Sequence, residues 1–343
     1  MTPSDLPDLV VDEVDLALIN ALQVAPRATW AVLGRTLRLD SATVARRWQR
    51  LSAAGLAWVT CTVGPSRHSD TCMAYVRVVT AQGHFDDVAT RLVENPAVRY
   101  VHHTTGASSL LVVVARRSPA AVAHFLRDVL DVMPGVLSYQ SEIRTVGYSE
   151  PSRWRLRSLA PAQQQTLQAP AVEAHGISVD EVDRSLYELL HTDGRMGFTE
   201  MAEQAGVSEA TVRRRVNRLL ASGSLRLRCE VAQSVSGWPT TAILWARVPP
   251  SSLDQVARAL VPRPEVRLSC SLSGPDNLLT MVWLRTPAEL PEFERVLSER
   301  HPEYTVTDRA VCLHTMKQMG RQLDADGRCI RALAMNPHAF PVT

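Results

Sequence analysis

Apolar residues at helical spacing predict three short helices near the start of the chain, at about 13–22, 30–37 and 40–53. Asp40 stands where the third helix would be capped, and Gly55 stands where a left-handed residue would end it. Alternating apolar residues then predict a strand at 59–63. This order is typical of a winged helix-turn-helix domain.

The third predicted helix has one apolar face and one basic face. Val44, Trp48 and Leu51 recur at spacings of four and three residues, so we expect them to face the core. The opposite face carries Thr43, Arg46, Arg47 and Arg50.

The chain repeats itself at a fixed offset of 168 residues. Residues 12–63 and 180–231 align without a gap and share 18 identities in 52 positions. The two copies are in register again at Gly106 and Gly274, so the repeated unit is half of the chain. The second copy therefore predicts the same helical domain, with a polar face formed by Thr211, Arg214, Arg215 and Arg218.

Strands and helices alternate in the stretch that follows each helical domain. In the first copy we expect strands at 73–79, 98–104, 110–116 and 136–145, and helices at 85–93 and 120–132. The order βαββαβ describes an antiparallel sheet with both helices on one face, and it recurs at 241–315. Such a sheet leaves one face uncovered, so we expect the two copies to pack on each other about a pseudo-twofold axis.

The predicted fold class is therefore α+β, with two copies of a winged-type three-helix helix-turn-helix domain followed by a βαββαβ ferredoxin-like domain. Prolines and a run of glutamines predict a linker between the copies, and the pattern after Met319 is weak. The predicted domains are helix-turn-helix domains at 9–63 and 178–232, ferredoxin-like effector and dimerisation domains at 70–148 and 238–318, a linker at 149–177 and a tail at 319–343.

Composition excludes some classes of protein. Of the 343 residues, 45% are hydrophobic and 21% are charged, and neither a secretion signal nor a run of ~18 apolar residues is visible. We therefore expect a cytoplasmic protein that does not contact membranes. The six cysteines include no CxxC pair, so we expect buried thiols rather than disulfides or a zinc site, and we expect no metal and no cofactor.

The net charge of +2 hides a segregation of charge along the chain, because residues 27–67 hold seven arginines and one acidic residue. A basic helix fits the major groove of DNA, where arginine binds guanine through two hydrogen bonds and Ser, Thr or Glu can reach base edges. The predicted DNA-binding residues are Ser41, Thr43, Arg46, Arg47 and Arg50 in the first copy, and Glu209, Thr211, Arg213, Arg214, Arg215 and Arg218 in the second. Further candidates, for contacts to the flanking phosphates, are Arg27, Arg35, Arg38 and Arg195.

One position in the helix-turn-helix differs between the copies. The second copy has Gly206 between its second and third helices, where left-handed backbone is common, whereas the first copy has Arg38. A left-handed Arg38 would store roughly 1–2 kcal/mol of strain.

Three motifs resemble those of the leucine-responsive and asparagine-operon (Lrp/AsnC) family of prokaryotic transcription factors. They are the opening Asp12-Glu13-Val14-Asp15, the helix with Thr43-Val44, Arg47 and Leu51, and the turn with Thr105-Gly106 followed by Leu110-Leu111. The resemblance covers both copies and omits only the linker and the tail. It implies a DNA-binding regulator whose α+β domain dimerises and binds a small effector, commonly an amino acid. This chain would be a dimer fused into one polypeptide, and we expect it to form a homodimer in turn.

The turn after the second ferredoxin-like strand departs from the family pattern. The resemblance places an effector at Gly106, Ser108 and Ser109 and at Gly274, Asp276 and Asn277. Family members that bind amino acids have an aspartate three residues after the glycine, where this chain has Ser109 and Asn277. Because a neutral side chain does not offset a buried ammonium, we expect a different metabolite or no effector.

Two other functions stay open at this point. The architecture also resembles siroheme decarboxylases, in which His and Arg handle substrate carboxylates. His102 and His103 with Arg99 would be the candidates here, and at most one of the adjacent histidines can face a given pocket. A protein that compacts DNA without sequence preference would use the same basic surface. We expect a regulator and not an enzyme, because the chain keeps two basic helices.

Overall fold

The computed structural model of the chain describes residues 9–64, 67, 71–149, 154–167 and 177–334. Residues 150–153 and 168–176 of the predicted linker, and residues 335–343 of the predicted tail, lie outside the described residues.

The predicted elements are present in both copies. The first copy contains helices α1 (Glu13–Val24), α2 (Trp30–Leu37), α3 (Ser41–Ala53), α4 (Phe85–Glu94) and α5 (Pro119–Phe125), and strands β1 (Ala57–Val63), β2 (Cys72–Thr80), β3 (Val98–Thr104), β4 (Leu110–Arg116) and β5 (Val136–Ser149). The second contains helices α7 (Glu181–Thr192), α8 (Phe198–Ala205), α9 (Glu209–Ala221), α10 (Pro250–Leu260) and α11 (Leu290–Arg300), and strands β6 (Leu225–Val231), β7 (Thr240–Arg247), β8 (Val266–Leu272), β9 (Leu278–Leu284) and β10 (Thr305–Gln318). Helix α6 (Pro161–Leu167) lies between the copies, and strands β11 (Arg321–Leu323) and β12 (Cys329–Ala332) follow them.

The chain folds into two compact units, each of which combines segments of both copies. The helix-turn-helix unit is built from the described parts of residues 1–71, 155–232 and 328–343. The α+β unit is built from those of residues 72–154 and 233–327. Like domains of the two copies are thus grouped together, as they would be in a dimer.

The cores of the two helix-turn-helix copies depend on each other. Strand β1 pairs with β6 in antiparallel register from Ala57 opposite Val231 to Val63 opposite Leu225. Helix α1 packs against β6, whereas α7 packs against β1. Cys61 of β1 consequently lies in the apolar core of the second copy. Each copy therefore buries its apolar surface partly against a strand that belongs to the other.

Arg27 of the first copy reaches into the turn before α8. Its Nη1 donates to the carbonyl of Gly194 (2.9 Å) and its Nη2 to that of Met196 (2.9 Å). The guanidinium also lies over the ring of Phe198, at 4.7 Å from the ring centroid. These contacts tie the first copy to the second through charge-assisted hydrogen bonds and a cation–π contact.

Arg195, 168 residues further on, makes the reciprocal contacts. It donates to the carbonyls of Pro26 (2.6 Å) and Ala28 (3.0 Å), and it lies 3.9 Å from the centroid of the Trp30 ring. Burial, together with the positive charge of Arg27, lowers the pKa of Arg195 to about 10. We call the two arginines with these contacts the arginine clasp.

The predicted linker contains helix α6, which is attached to the first copy, and Trp154, whose indole N–H donates to the carbonyl of Pro264 (3.0 Å) in the second. Helix α6 packs against α1 and α2. The Oδ1 atom of Asn20, a buried residue of α1, accepts hydrogen bonds from the backbone of Ser158 (2.9 Å) and Leu159 (3.1 Å). Gln163 of α6 donates to the carbonyl of Thr36 (2.9 Å). The predicted linker thus has a helix of its own, and amide side chains of α1 and α6 satisfy backbone groups across the contact.

Eight strands of the α+β unit form a closed ring within the described residues. The order is β10-β3-β4-β2-β5-β8-β9-β7, and β7 pairs with β10 again. The copies meet at two places, where β5 pairs with β8 and where β10 pairs with β3. Closure leaves these strands without exposed edges, which would otherwise pair with other chains.

Each sheet face has a separate apolar core. Alternate residues of β7 and β9, such as Leu244 and Val282, pack beneath α10 and α11. The residues between them point the other way, and a second core combines Tyr75 and Val113 of the first copy with Trp245 of the second. The two copies thus bury their remaining sheet faces against each other.

Three details differ from the expectations. The helix expected at 120–132 changes after Phe125 to a π-helical segment (Leu126–Leu130). The tail begins with β11, which pairs with the end of β10. Buried thiols are found only at Cys61, Cys229 and Cys270, whereas the other three cysteines are partly exposed.

We expect Arg27→Ala and Arg195→Ala each to lower the free energy of unfolding by about 1–3 kcal/mol, because two backbone carbonyls lose their donors. Urea unfolding followed by far-ultraviolet circular dichroism would measure the change. Arg35→Ala, on the exposed side of α2, is the matched control and should stay within about 0.5 kcal/mol of the parent. Equal effects of the three substitutions would contradict a stabilising clasp.

Candidate nucleic-acid interface

The two basic helices α3 and α9 begin with the predicted caps. Oδ2 of Asp40 accepts the backbone hydrogen bond of Thr43 (3.0 Å), and Oγ of Ser208 accepts that of Thr211 (3.2 Å). The residues predicted to face inward are buried in both helices: Val44, Trp48 and Leu51, and Val212, Val216 and Leu219.

The face opposite the core of α3 carries ion pairs with the start of α1. Arg47 Nη1 donates to Oδ2 of Asp12 (2.8 Å) and to Oδ1 of Asp15 (2.8 Å). Arg50 Nη2 donates to Oδ2 of Asp15 (2.7 Å). The two aspartates also cap α1, since each accepts the backbone N–H of the other. They therefore join the first turn of α1 to the middle of α3.

The second copy has the same ion pairs. Arg215 Nη1 donates to Asp180 (2.8 Å) and to Asp183 (3.1 Å), and Arg218 binds Asp183. Both Asp15 and Asp183 are fully buried. Since a buried carboxylate needs a cation and hydrogen bonds, the arginines satisfy a requirement of the fold itself.

Within the predicted stripe, Arg47 and Arg215 are therefore partly covered by their aspartates, with 25% and 21% of the side chain exposed. The spacing of the arginines along the chain predicts which face of the helix they occupy, but it does not predict the aspartates of α1 and α7 that bind them. Even so, the side chains of Arg50 and Arg218 are 46% and 44% exposed, which leaves donors on their open side.

Arg46 and Arg214 lie one position before the paired arginines and are exposed. Each is displaced by about 100° around the helix from the arginine that follows it, and no ion pair to α1 or α7 is found for either among the described residues. They are cations of the basic face that are exposed in both copies and, unlike Arg47 and Arg215, are not paired with the aspartates of α1 or α7.

The beginning of α9 differs from that of α3. Glu209 accepts hydrogen bonds from Arg213 Nη2 (2.8 Å) and from Thr199 Oγ1 (2.9 Å). The Arg213 guanidinium lies over the Phe198 ring at 4.7 Å. The first copy has Ala45 at the position of Arg213 and so lacks this arrangement. The two helices consequently present different chemistry at their first turns.

The residues expected to contact the flanking phosphates fall into two groups. Arg35 and Arg38 are exposed, and Arg38 is left-handed with φ of 58°. The prediction for Arg27 and Arg195 is wrong, because their donors bind backbone carbonyls in the arginine clasp.

The first of the two turns expected to bind an effector is held by internal hydrogen bonds. Gly106 is left-handed with φ of 94°. Thr104 Oγ1 donates to the carbonyl of Ser108 (2.9 Å). Ser109 Oγ accepts from the backbone N–H (3.2 Å) and from the hydroxyl (3.0 Å) of Thr80. Ser109 thus ties the turn to the end of β2.

The second turn uses the corresponding residue in the same way. Asn277 Oδ1 accepts the N–H of Val248 (3.0 Å), and its Nδ2 donates to the Val248 carbonyl (2.8 Å). Asp276 lies 3.7 Å from the guanidinium of Arg247. The predicted residues of each turn therefore lie together, and Ser109 and Asn277 bind backbone at the position of the family's aspartate.

The two adjacent histidines make different contacts. His102 is buried, its Nδ1 lies 3.0 Å from the hydroxyl of Thr315, and its ring stacks on Tyr100. Burial lowers the pKa of His102 to about 4, so that it is neutral at physiological pH. The ring of His103 packs on Phe85 at a centroid distance of 4.3 Å.

Sequence reasoning missed the aspartates that bind the basic helices. The signal was present, because Asp-Glu-Val-Asp occurs in both copies. A motif with two acidic residues at the start of a helix indicates a cap, and its repetition together with the arginines indicates a pairing.

No helix among the described residues has both the length and the apolar character that crossing a bilayer requires. Nor do the side chains in that part of the chain bring together three or more His, Cys, Asp or Glu residues suited to a metal ion.

Comparison with protein families identifies two kinds of domain. The AsnC-type helix-turn-helix domain matches residues 11–52 and 179–220. The Lrp/AsnC ligand binding domain matches residues 73–150.

Among individual proteins, an uncharacterized HTH-type transcriptional regulator of Pyrococcus abyssi is 32% identical over 125 residues, which cover 36% of this chain and 77% of that protein. The HTH-type transcriptional regulator LrpA of Pyrococcus horikoshii is 30% identical over 115 residues, which cover 33% of this chain and 82% of LrpA.

One similar solved structure spans both copies. The siroheme decarboxylase NirDL, in co-complex with an iron-uroporphyrin III analogue, matches 90% of this chain and 93% of its own with a TM-score of 0.60. The sequence identity is 14%, so the match concerns the fold alone.

The ion pair at α7 makes stability depend on pH. The backbone N–H of Asp183 and the Arg215 guanidinium lower the pKa of Asp180. The stabilisation is therefore present above the carboxyl's unfolded pKa of about 3.9 and is lost as the pH falls through the lower folded value. Asp180→Asn keeps a helix cap but removes the charge. We expect it to unfold at lower urea than the parent at pH 6, and the difference should close below about pH 4.

Asp254→Asn is the control for this experiment. It breaks an exposed ion pair with Arg258 on α10, which contributes little to stability. A difference for Asp180→Asn that persists unchanged into acid would mean that the charge of Asp180 is not its cause.

Proposed function

The chain belongs to the Lrp/AsnC family of transcriptional regulators, and from this premise we propose that it is a sequence-specific DNA-binding regulator, a fused pseudo-dimer of two Lrp/AsnC modules. The module in this proposal is a winged helix-turn-helix followed by a ferredoxin-like effector and dimerisation domain. The regulator acts in the cytoplasm, as a homodimer of the fused chain, and is not an enzyme.

One observation carries the proposal. Two basic helices with the same ion-paired arginines lie in one compact unit, and the β1–β6 pairing and the arginine clasp join their domains. A single basic helix would bind DNA weakly, whereas two helices held in one unit lose less freedom on binding.

In the proposed complex, α3 and α9 enter successive major grooves with half-site centres about 34–36 Å apart. Arg46 and Arg214 are the proposed base-contacting arginines, because they point to solvent. Arg47 and Arg215 then position the helices through their aspartates, and Arg50 and Arg218 contact phosphate. Ser41, Thr43, Glu209, Thr211 and Arg213 complete the proposed set of DNA-binding residues.

The proposal includes modulation by a small molecule at the paired α+β domains, near the turns of Gly106 and Gly274. A ligand changes DNA affinity only if it binds two states of the protein with different affinity. The closed strand ring links both turns to strands of the opposite copy, since Ser273 pairs with Ile143 and Thr105 with Val311. A ligand at either turn thus touches both copies.

The second candidate is a siroheme-decarboxylase-like enzyme, which the fold match over 90% of the chain favours. Its candidate His102 is buried, with Nδ1 against Thr315 and Nε2 without a hydrogen-bond partner, so a substrate carboxylate would have to reach a nitrogen that is shielded from solvent. A DNA-compacting protein is the third candidate and differs by its lack of sequence preference.

The test is binding of the full chain to the DNA upstream of its own gene and to random duplex, across a series of salt concentrations. Preference for one sequence with a steep salt dependence would support a regulator. Equal affinity for both DNAs would support a compacting protein. No binding at low salt would contradict both, and decarboxylation of siroheme would then be assayed.

We expect Arg46→Ala and Arg214→Ala each to weaken binding to the preferred DNA by about 1–3 kcal/mol, because each removes a contact to a base. Binding to random duplex should change less. Fluorescence anisotropy with both DNAs would measure this, and Arg258→Ala on the exposed face of α10 is the control. Equal losses on both DNAs would assign the two arginines to phosphate contacts.

We also expect an operator with unlike half-sites. The Glu209 carboxylate would accept a hydrogen bond from cytosine N4. The first copy has the uncharged Ser41 at the corresponding position, so we expect its half-site to have a different base preference. Glu209→Ser should therefore change the base preference in one half-site and leave the other unchanged. Selection from a randomised operator library would reveal this, and a change in both half-sites would contradict the assignment.

A further inference from the structure

Glu142 is a buried carboxylate on β5 that lies beneath the second effector turn. Its side chain is 4% exposed, and Oε1 has no hydrogen-bond partner. Oε1 lies against Gly274, in the space that a side chain at this position would fill. Buried carboxylate oxygens are normally satisfied, because an unpaired one has lost its hydration without replacement.

The nearest cation is shared with a second carboxylate. Arg77 on β2 donates to Oδ2 of Asp308 (3.2 Å), and its other Nη lies 3.8 Å from Glu142 Oε1, too far for a hydrogen bond. The guanidinium is held in place over the Trp245 ring, 5.0 Å from its centroid. Arg77 is therefore committed to Asp308 and only approaches Glu142.

The turn itself adds another carboxylate and another cation. Asp276 is 13% exposed and lies 3.7 Å from Arg247, whose own side chain is 63% exposed. Burial and the negative charge of Asp276 raise the pKa of Glu142. Among the carboxylates of Glu142, Asp276 and Asp308, that of Glu142 is the most buried, and its Oε1 receives no hydrogen bond from either guanidinium group.

The turn of Gly106 in the first copy has uncharged residues at the positions that correspond to Glu142, Asp276 and Arg247. At the offset of 168 residues, Glu142 corresponds to Ala310, Asp276 to Ser108 and Arg247 to Val79. The strand pairings keep the same offset, since Ala74 pairs with Ile143 as Ala242 pairs with Val311. The charge set is therefore a property of one turn and not of the repeated fold.

We propose that the chain has one effector site instead of two, at the turn of Gly274, and that its ligand carries an ammonium group that donates to Glu142. The carboxylate expected on the turn is supplied from β5 of the opposite copy. Asp276 adds negative charge beside it, while Arg247, which donates to the Pro275 carbonyl (3.2 Å) and is 63% exposed, would offer its open side to an anionic part of the ligand. The inference rests on the proposed function, in that it specifies the effector of the proposed regulator.

The test is calorimetric titration of the full chain with primary amines. The probes are L-lysine, L-arginine, L-leucine, L-asparagine and putrescine, each at up to about 10 mM, and their N-acetylated forms. We expect at least one amine to bind with a stoichiometry of one per chain, and its acetylated form not to bind. Glu142→Gln should weaken that binding at least about tenfold, because the amide carries no charge.

Glu299→Gln, which removes an exposed carboxylate on α11 of the same unit, is the matched control and should bind as the parent does. Asp276→Asn, a substitution of similar size on the turn, gives a second variant should Glu142→Gln fail to fold, and we expect it to bind several-fold more weakly. Two equal sites per chain, binding that survives both substitutions, or no binding of any amine would each overturn the proposal.

DNA binding of the parent without amine is measured in parallel. Amine binding through Glu142 without DNA binding would leave this inference standing and contradict the proposed function. DNA binding without amine binding would contradict this inference and leave the proposed function standing.

Discussion

The arrangement of the helix-turn-helix unit depends on a reciprocal exchange of hydrogen bonds between its two copies. Arg27 binds carbonyls in the turn of the second copy, and Arg195 binds those in the turn of the first. Each turn precedes the second helix of its domain, so the clasp connects the two domains at the start of α2 and α8. The β1–β6 pairing supports it with backbone hydrogen bonds. The clasp and the strand pairing together hold the two domains, and with them the two basic helices, in one unit.

The ion pairs at α1 and α7 extend this constraint to the basic helices. Asp15 and Asp183 are inaccessible to solvent, and each is satisfied by arginines of the adjacent basic helix. The same arginines are therefore part of the core architecture, although their positions on the helical wheel suggest a free surface. In the proposed complex, Arg47 and Arg215 hold the basic helices through their aspartates, whereas Arg46 and Arg214, one position earlier, contact DNA bases. Because the paired arginines are already held in the free protein, fewer side chains must become ordered when DNA binds.

Much of the fold was predictable from the sequence because each half carries its own periodicity. The three helices, the βαββαβ order and the inward faces of α3 and α9 follow from local spacing. The pairing of β1 with β6 and the clasp were not predictable, since they join residues about 168 positions apart and depend on how the copies meet. The same applies to the site at Glu142. Its strand, β5, carries none of the motifs that resemble the family. The surroundings of Glu142 become apparent only when β2, β5, β7 and β10 are brought together in the sheet.

Covalent fusion of the copies has a consequence for how such a protein changes over time. In a dimer of identical chains, every substitution appears twice and each symmetry-related pair of contacts is altered together. Here the copies share a polypeptide but not a sequence, so Ala45 and Arg213, or Ala310 and Glu142, have been able to diverge at corresponding places. In the proposed fused pseudo-dimer, the two unlike halves are joined in one chain and therefore always occur in a ratio of one to one, and each can carry contacts that the other lacks.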